Sequence, residues 1–345
     1  MNNSILIISD LHLGRFGYSE YIKDERISEK KEIFDFIIEQ SKDCEQIVFL
    51  GDIFNTKNPL SETVKEFTSF LERFENKEVF MISGNHCLKA TGETAIDYLK
   101  EISNKKWHII TGKPQKIGDY VFAPYLTKNL LECENNTEAK NKLMELLPSG
   151  KILFHHFSMT GTKTSSGMST DFFDEIVLDY KELSKKYDYV FGGHIHQTNI
   201  ITNNIIVPGS IFHNEIGEDK DKFIFKITIG EDGEEINKIT LPGRKIYKLE
   251  NPTIQTLEKI EKGNIIKIVL TEKKTAEEIE TLKKKANKFD AFILVENIAK
   301  ERKKMHIDSN RKITDFSIEN LLELYSKERN IDLEKIKKGF SLIRK

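Results

Sequence analysis

Cysteine is scarce. Cys44, Cys87 and Cys133 are the three in 345 residues, with no C-x-x-C pair and no ladder of spacings. An odd, scattered set argues against a disulfide framework and against a thiolate zinc knot, and points to a reducing compartment. Charge of one sign is missing too: 53 Lys+Arg against 55 Asp+Glu leave a net charge of -2, so attraction for a polyanion must come from local patches. Nowhere do about 18 apolar residues run together, the length a membrane span needs. The N-terminus passes from MNNS straight into SILIISD, without the basic and apolar regions of a leader. The expectation is a soluble, cytoplasmic protein with no membrane partner. Internal repeats and low-complexity tracts are also lacking.

What is present is an alternation. SILIIS (4–9), QIVFLG (46–51), EVFMIS (78–83), KILFHH (151–156), YVFGG (189–193) and NIIVPGS (204–210) are short β-branched or aromatic runs bounded by Gly, Asp, Asn or Pro, which are buried-strand signals. Between the first two, Ile33, Phe36, Ile37 and Gln40 fall at helical spacing; between the next two, Val64, Phe67, Phe70, Leu71 and Phe74 do the same. Strand and helix in alternation predict a layered α/β domain around a largely central sheet. KFIFKITI, GEDGE and INKITL read as a hairpin that completes it.

Length divided by about 150 residues suggests two domains, and the texture changes near PGRK (242–245). IIKIVL, AEEIETLKKKANKF and AFILVEN form a small β-α-β element. From Ala299 onward 13 Lys/Arg face eight Asp/Glu, and SIENLLELYSKERN and LEKIKKGFSLI have the pattern of amphipathic helices. They read either as a helical cap on the second domain or as a partner-docking arm. The expected division is 1–243, 244–300 and a helical tail, 301–345.

Chemistry gathers where the strands end. The first delivers Asp10 and His12, the second Asp52, the third Asn85 and His86, then His155 and His156, then His194 and His196. In an open α/β sheet the carboxyl edge of the strands is where ligands bind. Each motif alone has an ordinary reading as a strand-to-loop turn or a packed histidine; five successive termini carrying carboxylate, imidazole or amide groups point to a shared metal site. Oxygen and imidazole donors without thiolate suit Mn, Fe, Zn or Co. The donors exceed what one ion needs, and two cations sharing an aspartate can activate a water and clamp an in-line phosphoryl displacement. His155 and His156 are adjacent on an extended strand and point to opposite faces, so the two do not serve one site.

Asp10-Leu11-His12, Gly51-Asp52, Gly84-Asn85-His86, His155/His156 and Gly193-His194-Ile195-His196 resemble the calcineurin-like metallophosphoesterases over residues 1 to about 215. ISDLHLG, LGDIFN and the PGS after GHIH resemble the Mre11/SbcD-type DNA-repair nuclease branch and its phage and prokaryotic relatives. The resemblance implies a layered β-sandwich flanked by helices, with a small β-α-β cap domain and a C-terminal helical tail. It also implies two divalent metal ions, Mn2+ by family expectation. One metal would take Asp10, His12 and His196, the other Asn85, His156 and His194, with Asp52 bridging. His156 is favoured over His155 because Gly161 follows it by five positions, as in the relatives. His86 matches a non-ligand histidine that contacts the scissile phosphate and assists the leaving group.

Family members carry Asp or Glu after Gly-Asn-His; this chain has Cys87. A thiol is a poor substitute for an orienting acid, which puts full activity or metal preference in question; direct ligation by Cys87 is a further alternative. The resemblance further implies DNA as substrate, a Rad50/SbcC-like ATPase docked through helices after the cap, and a homodimer. The Phe-rich helical segments offer either an apolar dimer patch or ordinary core packing. Two other functions remain: a phosphoesterase for small nucleotide diesters, from which the last 100 residues distinguish it, and a catalytically weak scaffold, for which Cys87 is the one sign.

Overall fold

The computed structural model describes residues 3–14, 23–102, 106–215, 217–230, 233–261, 263–272, 274–287, 292–297, 326 and 332–334. One compact unit comprises Met1–Val269 and Lys274–Glu296; the other, Leu270–Lys273 and Asn297–Lys345, falls almost wholly outside the described residues. The two helices expected in the tail, 301–345, lie there. No described helix is long and apolar enough to cross a membrane.

The strands, in chain order, are β1 (Asn3–Ile8), β2 (Gln46–Phe49), β3 (Glu78–Ile82), β4 (Trp107–Ile110), β5 (Gln115–Ile117), β6 (Tyr120–Ala123), β7 (Ile152–His155), β8 (Ser158–Met159), β9 (Val177–Leu178), β10 (Tyr189–Gly192), β11 (Asn199–Thr202), β12 (Ile205–Val207), β13 (Phe223–Gly230), β14 (Gly233–Thr240), β15 (Ile246–Glu250), β16 (Ile265–Leu270) and β17 (Phe292–Asn297). The helices are α1 (Lys23–Gln40), α2 (Ser61–Glu72), α3 (Leu99–Ile102), α4 (Asn136–Leu146), α5 (Tyr180–Leu183), α6 (Ile254–Leu257) and α7 (Ala276–Asn287).

These strands make two six-stranded sheets, ordered β14-β13-β1-β2-β3-β4 and β11-β12-β10-β7-β6-β5. The single central sheet read from the alternation is thus divided in two, and the layered sandwich flanked by helices that the resemblance implies is what is found. The runs of β1, β2, β3, β7 and β10 are apolar on both faces, and a second sheet buries the inner face as well as a helix layer would, so the runs alone do not distinguish the two arrangements. Between the sheets lie Ile5, Ile7, Val48, Leu50, Phe80 and Ile82 from one side and Phe122, Phe154, Phe191 and Ile206 from the other. The expected hairpin, β13 with β14, completes the first sheet by pairing antiparallel to β1.

Helices cover the outer faces. Phe67, Phe70 and Leu71 of α2, and Phe74 just beyond it, pack with Phe49 of β2; the Phe34 and Phe70 rings stack 3.9 Å apart. On α1 the buried residues include Phe34 beside Ile33 and Ile37, while Phe36 is only half-buried. The phenylalanines of α2 therefore furnish core, not an open apolar patch. On the other side α4 buries Ala139 and Leu143 against the second sheet, and Asn135 caps it by accepting from Glu138 N–H. β4, β5, β6 and α4 arise from a stretch in which the sequence showed only Gly-Asn-His.

The expected β-α-β element, β16, α7 and β17, gains a third strand, β15, parallel to β16.

Candidate metal centre

The five strand termini meet at one rim because the chain turns sharply there. Asp10, His12, Asp52 and His194 have φ values of 50, 45, 44 and 80°, a left-handed conformation that costs a non-glycine residue about 1–3 kcal/mol. The loops after β1 and β2 hold each other in place: His12 N–H donates to Asp52 O at 2.8 Å, Leu13 N–H to Ile53 O at 2.8 Å, and Asn55 N–H to Leu13 O at 3.0 Å. Two motif glycines are steric requirements. A β-carbon on Gly51, itself at φ +99°, would overlap the His156 ring, and one on Gly84 would overlap the Asp52 carboxylate and backbone nitrogen.

Asp10, His12, Asp52, Asn85, His86, His156, His194 and His196 all come together. Three groups, Asp10/His12/His196, His12/Asp52/His86 and Asp10/Asp52/His156, each place their potential ligand atoms within 4.8 Å of one another. His12 Nε2 lies 3.8 Å from Asp10 Oδ1, 3.6 Å from Asp52 Oδ2 and 2.8 Å from His196 Nε2. On the other side of Asp52, His156 Nε2 is 3.4 Å from Asp52 Oδ2 and 3.1 Å from Asn85 Oδ1, and His194 Nδ1 is 2.9 Å from the same Asn85 oxygen.

The acceptors beside two of the rings indicate which nitrogens hold protons. His156 Nδ1 faces the Leu50 carbonyl at 2.5 Å, and His194 Nε2 faces the Glu175 carboxylate at 3.0 and 3.1 Å. Both partners only accept, so those nitrogens carry the protons. In the neutral rings, His156 Nε2 and His194 Nδ1 then direct lone pairs at Asn85 Oδ1, itself an acceptor. Lone pairs converging without a hydrogen between them fit a cation. Asp52 Oδ2 and His12 Nδ1, both buried, have no hydrogen-bond partner. Electrostatics agree: burial disfavours a charged His156, yet the adjacent Asp52 carboxylate overrides it and raises the ring to about 9. Asp52 is lowered despite its burial, chiefly by His156. His12, more strongly governed by burial, falls to about 4. The buried Asp52 carboxylate thus demands positive charge beside it, from a proton on His156 or from divalent cations, which these donors fit.

His86 stands at the edge. Its N–H donates to Asp52 Oδ1 at 2.9 Å and its Nδ1–H to Asn55 O at 3.1 Å, which leaves Nε2, 4.0 Å from Asp52 Oδ2, on a side chain 37% exposed. A cleft of about 260 Å³ opens above the cluster, lined by Asp52, Asn85, His86, Phe173, His194 and His196 among others.

His155 does not join the cluster. Its Nδ1 accepts from Phe157 N–H at 3.2 Å, its ring packs against Gly192, and burial lowers it to about 3. Cys87 is also apart: its thiol faces the Phe54 carbonyl at 3.6 Å within the core that holds Phe54 and Ile96, and burial pushes its pKa up. Two residues that contribute here have no motif to announce them. Glu175 lies between a polar loop and the short β9, and Glu218 sits in HNEIGEDKDK, where acids are unexceptional. Tyr125 is a third; its ring stacks on His194 with centroids 5.7 Å apart.

The calcineurin-like phosphoesterase family model matches residues 4–198. The SbcD component of the SbcCD nuclease of Staphylococcus epidermidis is 23% identical over 274 residues, 71% of each chain. Among solved structures, nuclease MPE of Pseudomonas putida is 15% identical, covering 59% of this chain and 67% of its own, with a TM-score of 0.29. A cold-active protein-tyrosine phosphatase of a Shewanella species is 12% identical, covering 70% and 80%, with a TM-score of 0.31. Scores of that size carry no inference. The family model spans more than half of the chain and every motif at the rim except the closing turn after His196, and the chain belongs to the calcineurin-like phosphoesterases, a family of metal-dependent phosphoester hydrolases.

Proposed function

We propose that the protein is a DNA nuclease, the phosphodiester-cleaving component of an Mre11-Rad50/SbcCD-like repair complex, working with two divalent cations, Mn2+ by preference. The observation that carries this reading is the set of imidazole nitrogens and carboxylate oxygens grouped on both sides of Asp52 beneath an open cleft. Asp10, His12 and His196 would hold one cation, Asn85, His156 and His194 the other, and Asp52 would be shared. The likeness to the nuclease component of SbcCD supports DNA as the substrate.

Bound cations supply water activation and neutralise charge developing on the phosphoryl oxygens. The chain itself supplies orientation and a proton. His86 keeps its Nδ1 proton on the Asn55 carbonyl, so the exchangeable proton is on Nε2, at the cleft. There it would protonate the departing sugar oxygen, a task suited to imidazole near neutral pH.

The cap is assigned to 244–300 and an ATPase-docking segment to 301–345, with a homodimer as the working assembly; sedimentation of the purified chain, alone and with the ATPase, tests both. The open cleft above the cluster also suits a second reading, hydrolysis of small nucleotide diesters. End-labelled single- and double-stranded DNA and bis(p-nitrophenyl) phosphate, each with Mn2+ and then with chelator, separate the two. Mn2+-dependent DNA cleavage, weakening steeply with salt as phosphate contacts require, supports the nuclease; cleavage of the small diester alone, even with the ATPase present, supports the second reading. Two bound metals and no cleavage of either substrate support a scaffold.

A further inference from the structure

We propose that Glu175 and Glu218 are positioning residues, one for each histidine of the G-H-x-H motif, which hold His194 and His196 in opposite tautomers and so serve the two metal positions separately. The proposal rests on the two-metal reading above.

His194 and His196 are two residues apart, yet they turn different ring atoms toward the cluster. At His194 the inward atom is Nδ1, 2.9 Å from Asn85 Oδ1, and the outward atom is Nε2, within 3.0 and 3.1 Å of the two Glu175 oxygens. At His196 the inward atom is Nε2, 2.8 Å from His12 Nε2, and the outward atom is Nδ1, 3.6 Å from Glu218 Oε1. An ionised carboxylate only accepts, so each acid draws the proton to the ring nitrogen it faces and leaves the other nitrogen's lone pair for a cation. Glu175 therefore selects the Nε2–H form of His194, and Glu218 selects the Nδ1–H form of His196. At 3.6 Å the second contact is electrostatic and not a direct hydrogen bond.

Both acids are held in place. Ser158 Oγ–H donates to Glu175 Oε1 at 2.5 Å. Glu218 is fully buried and accepts from the backbone N–H groups of Asn214 and Glu215 at 3.2 and 3.0 Å and from Lys222 Nζ at 2.7 Å; the same ammonium donates to the His196 carbonyl at 3.0 Å. Glu218 thus reaches His196 by two routes, from its own carboxylate to the ring and through Lys222 to the backbone. Partners of this kind beyond the ligands typically contribute about 10–100-fold to metal affinity.

The test uses the full chain with histidine-selective ¹⁵N labelling. Long-range ¹H–¹⁵N spectra of the metal-free protein, at a pH where both rings are neutral, report each tautomer. The wild type is expected to show Nε2–H at His194 and Nδ1–H at His196. Glu175→Gln, whose amide both donates and accepts, is expected to mix the tautomers at His194 alone, and Glu218→Gln at His196 alone. Glu218→Asp, which keeps the charge but shortens its reach, stands in if Glu218→Gln does not fold. Titration with Mn2+ should then show about 10–100-fold weaker binding of one ion in each variant, the second ion keeping wild-type affinity. Unchanged tautomers in the variants, or equal weakening of both ions by each, would overturn the positioning roles. A wild type that binds fewer than two ions overturns the two-metal reading instead, and the tautomer result, obtained without metal, stands apart from it.

Discussion

Gly84 lies against Asp52 so closely that a β-carbon on it would overlap both the carboxylate and the backbone nitrogen of the aspartate. The glycine of Gly-Asn-His is therefore part of how Asp52 is placed. Gly84→Ala is expected to displace the carboxylate and lower metal affinity by at least about tenfold, at the upper bound leaving no measurable binding, a misplacement that costs about 10²-fold in turnover. Calorimetric titration with Mn2+ beside the wild type checks this; unchanged affinity would show that the loop shifts without cost.

His86→Ala should separate metal binding from turnover. The ring is anchored to Asn55 through Nδ1; although it groups with His12 and Asp52, its Nε2 stands 4.0 Å from Asp52 Oδ2 on a side chain open to the cleft. Loss of a positioned acid typically costs 10²–10⁴-fold, so kcat is expected to fall by about that factor with metal content intact. Metal analysis and kcat on the same preparation decide it, and loss of both together would make His86 a ligand.

Acid should weaken the metal-free chain through two buried imidazoles. Burial lowers His155 to about 3 and His12 to about 4, from 6.5. Between those values and 6.5 the unfolded chain binds protons that the native chain does not, so stability falls as pH drops from 6.5. His156, raised to about 9, acts oppositely: its contribution is full below 6.5 and is lost as pH rises through 9. Urea unfolding in chelator from pH 7 to 5 is expected to show a shallower loss for His155→Asn, which keeps an acceptor near Phe157 N–H. The difference in slope is bounded by about 1.4 kcal/mol per pH unit.

Cys87→Ala should leave metal binding unchanged. The thiol packs against Phe54 in the core, so the cost is that of a small cavity, about 1 kcal/mol, read as a lower unfolding midpoint. Loss of a metal in this variant would restore the alternative of a Cys ligand.

The rim was legible because its geometry is written in adjacent residues. A strand that ends in Asp-x-His or Gly-Asp declares both where it stops and what it presents, and His155 and His156 separate by the alternation of a strand. What stayed hidden depends on contacts between distant segments. Glu175 and Glu218 become meaningful only once His194 and His196 are placed beside them. The pairing of sheets is likewise absent from runs such as VFMI and ILFH, which are satisfied by any apolar layer. On α1 Phe34 is buried and stacks on Phe70 of the adjacent α2, while Phe36 packs half-buried at the edge of the same core, a distinction that helical spacing alone does not make.

Asp10 meets the His194 backbone N–H across 184 positions of chain, at 3.1 and 3.2 Å, and one belongs to the first large sheet's rim while the other follows β10 of the second. No hairpin or single strand-helix unit holds a full set of donors. A cation held by donors from both sheets would need the two halves together, so affinity for metal would report on whether the sandwich has closed. A chain truncated before β10 would keep Asp10, His12, Asp52, Asn85 and His156 and lose His194 and His196, one proposed ligand at each cation position.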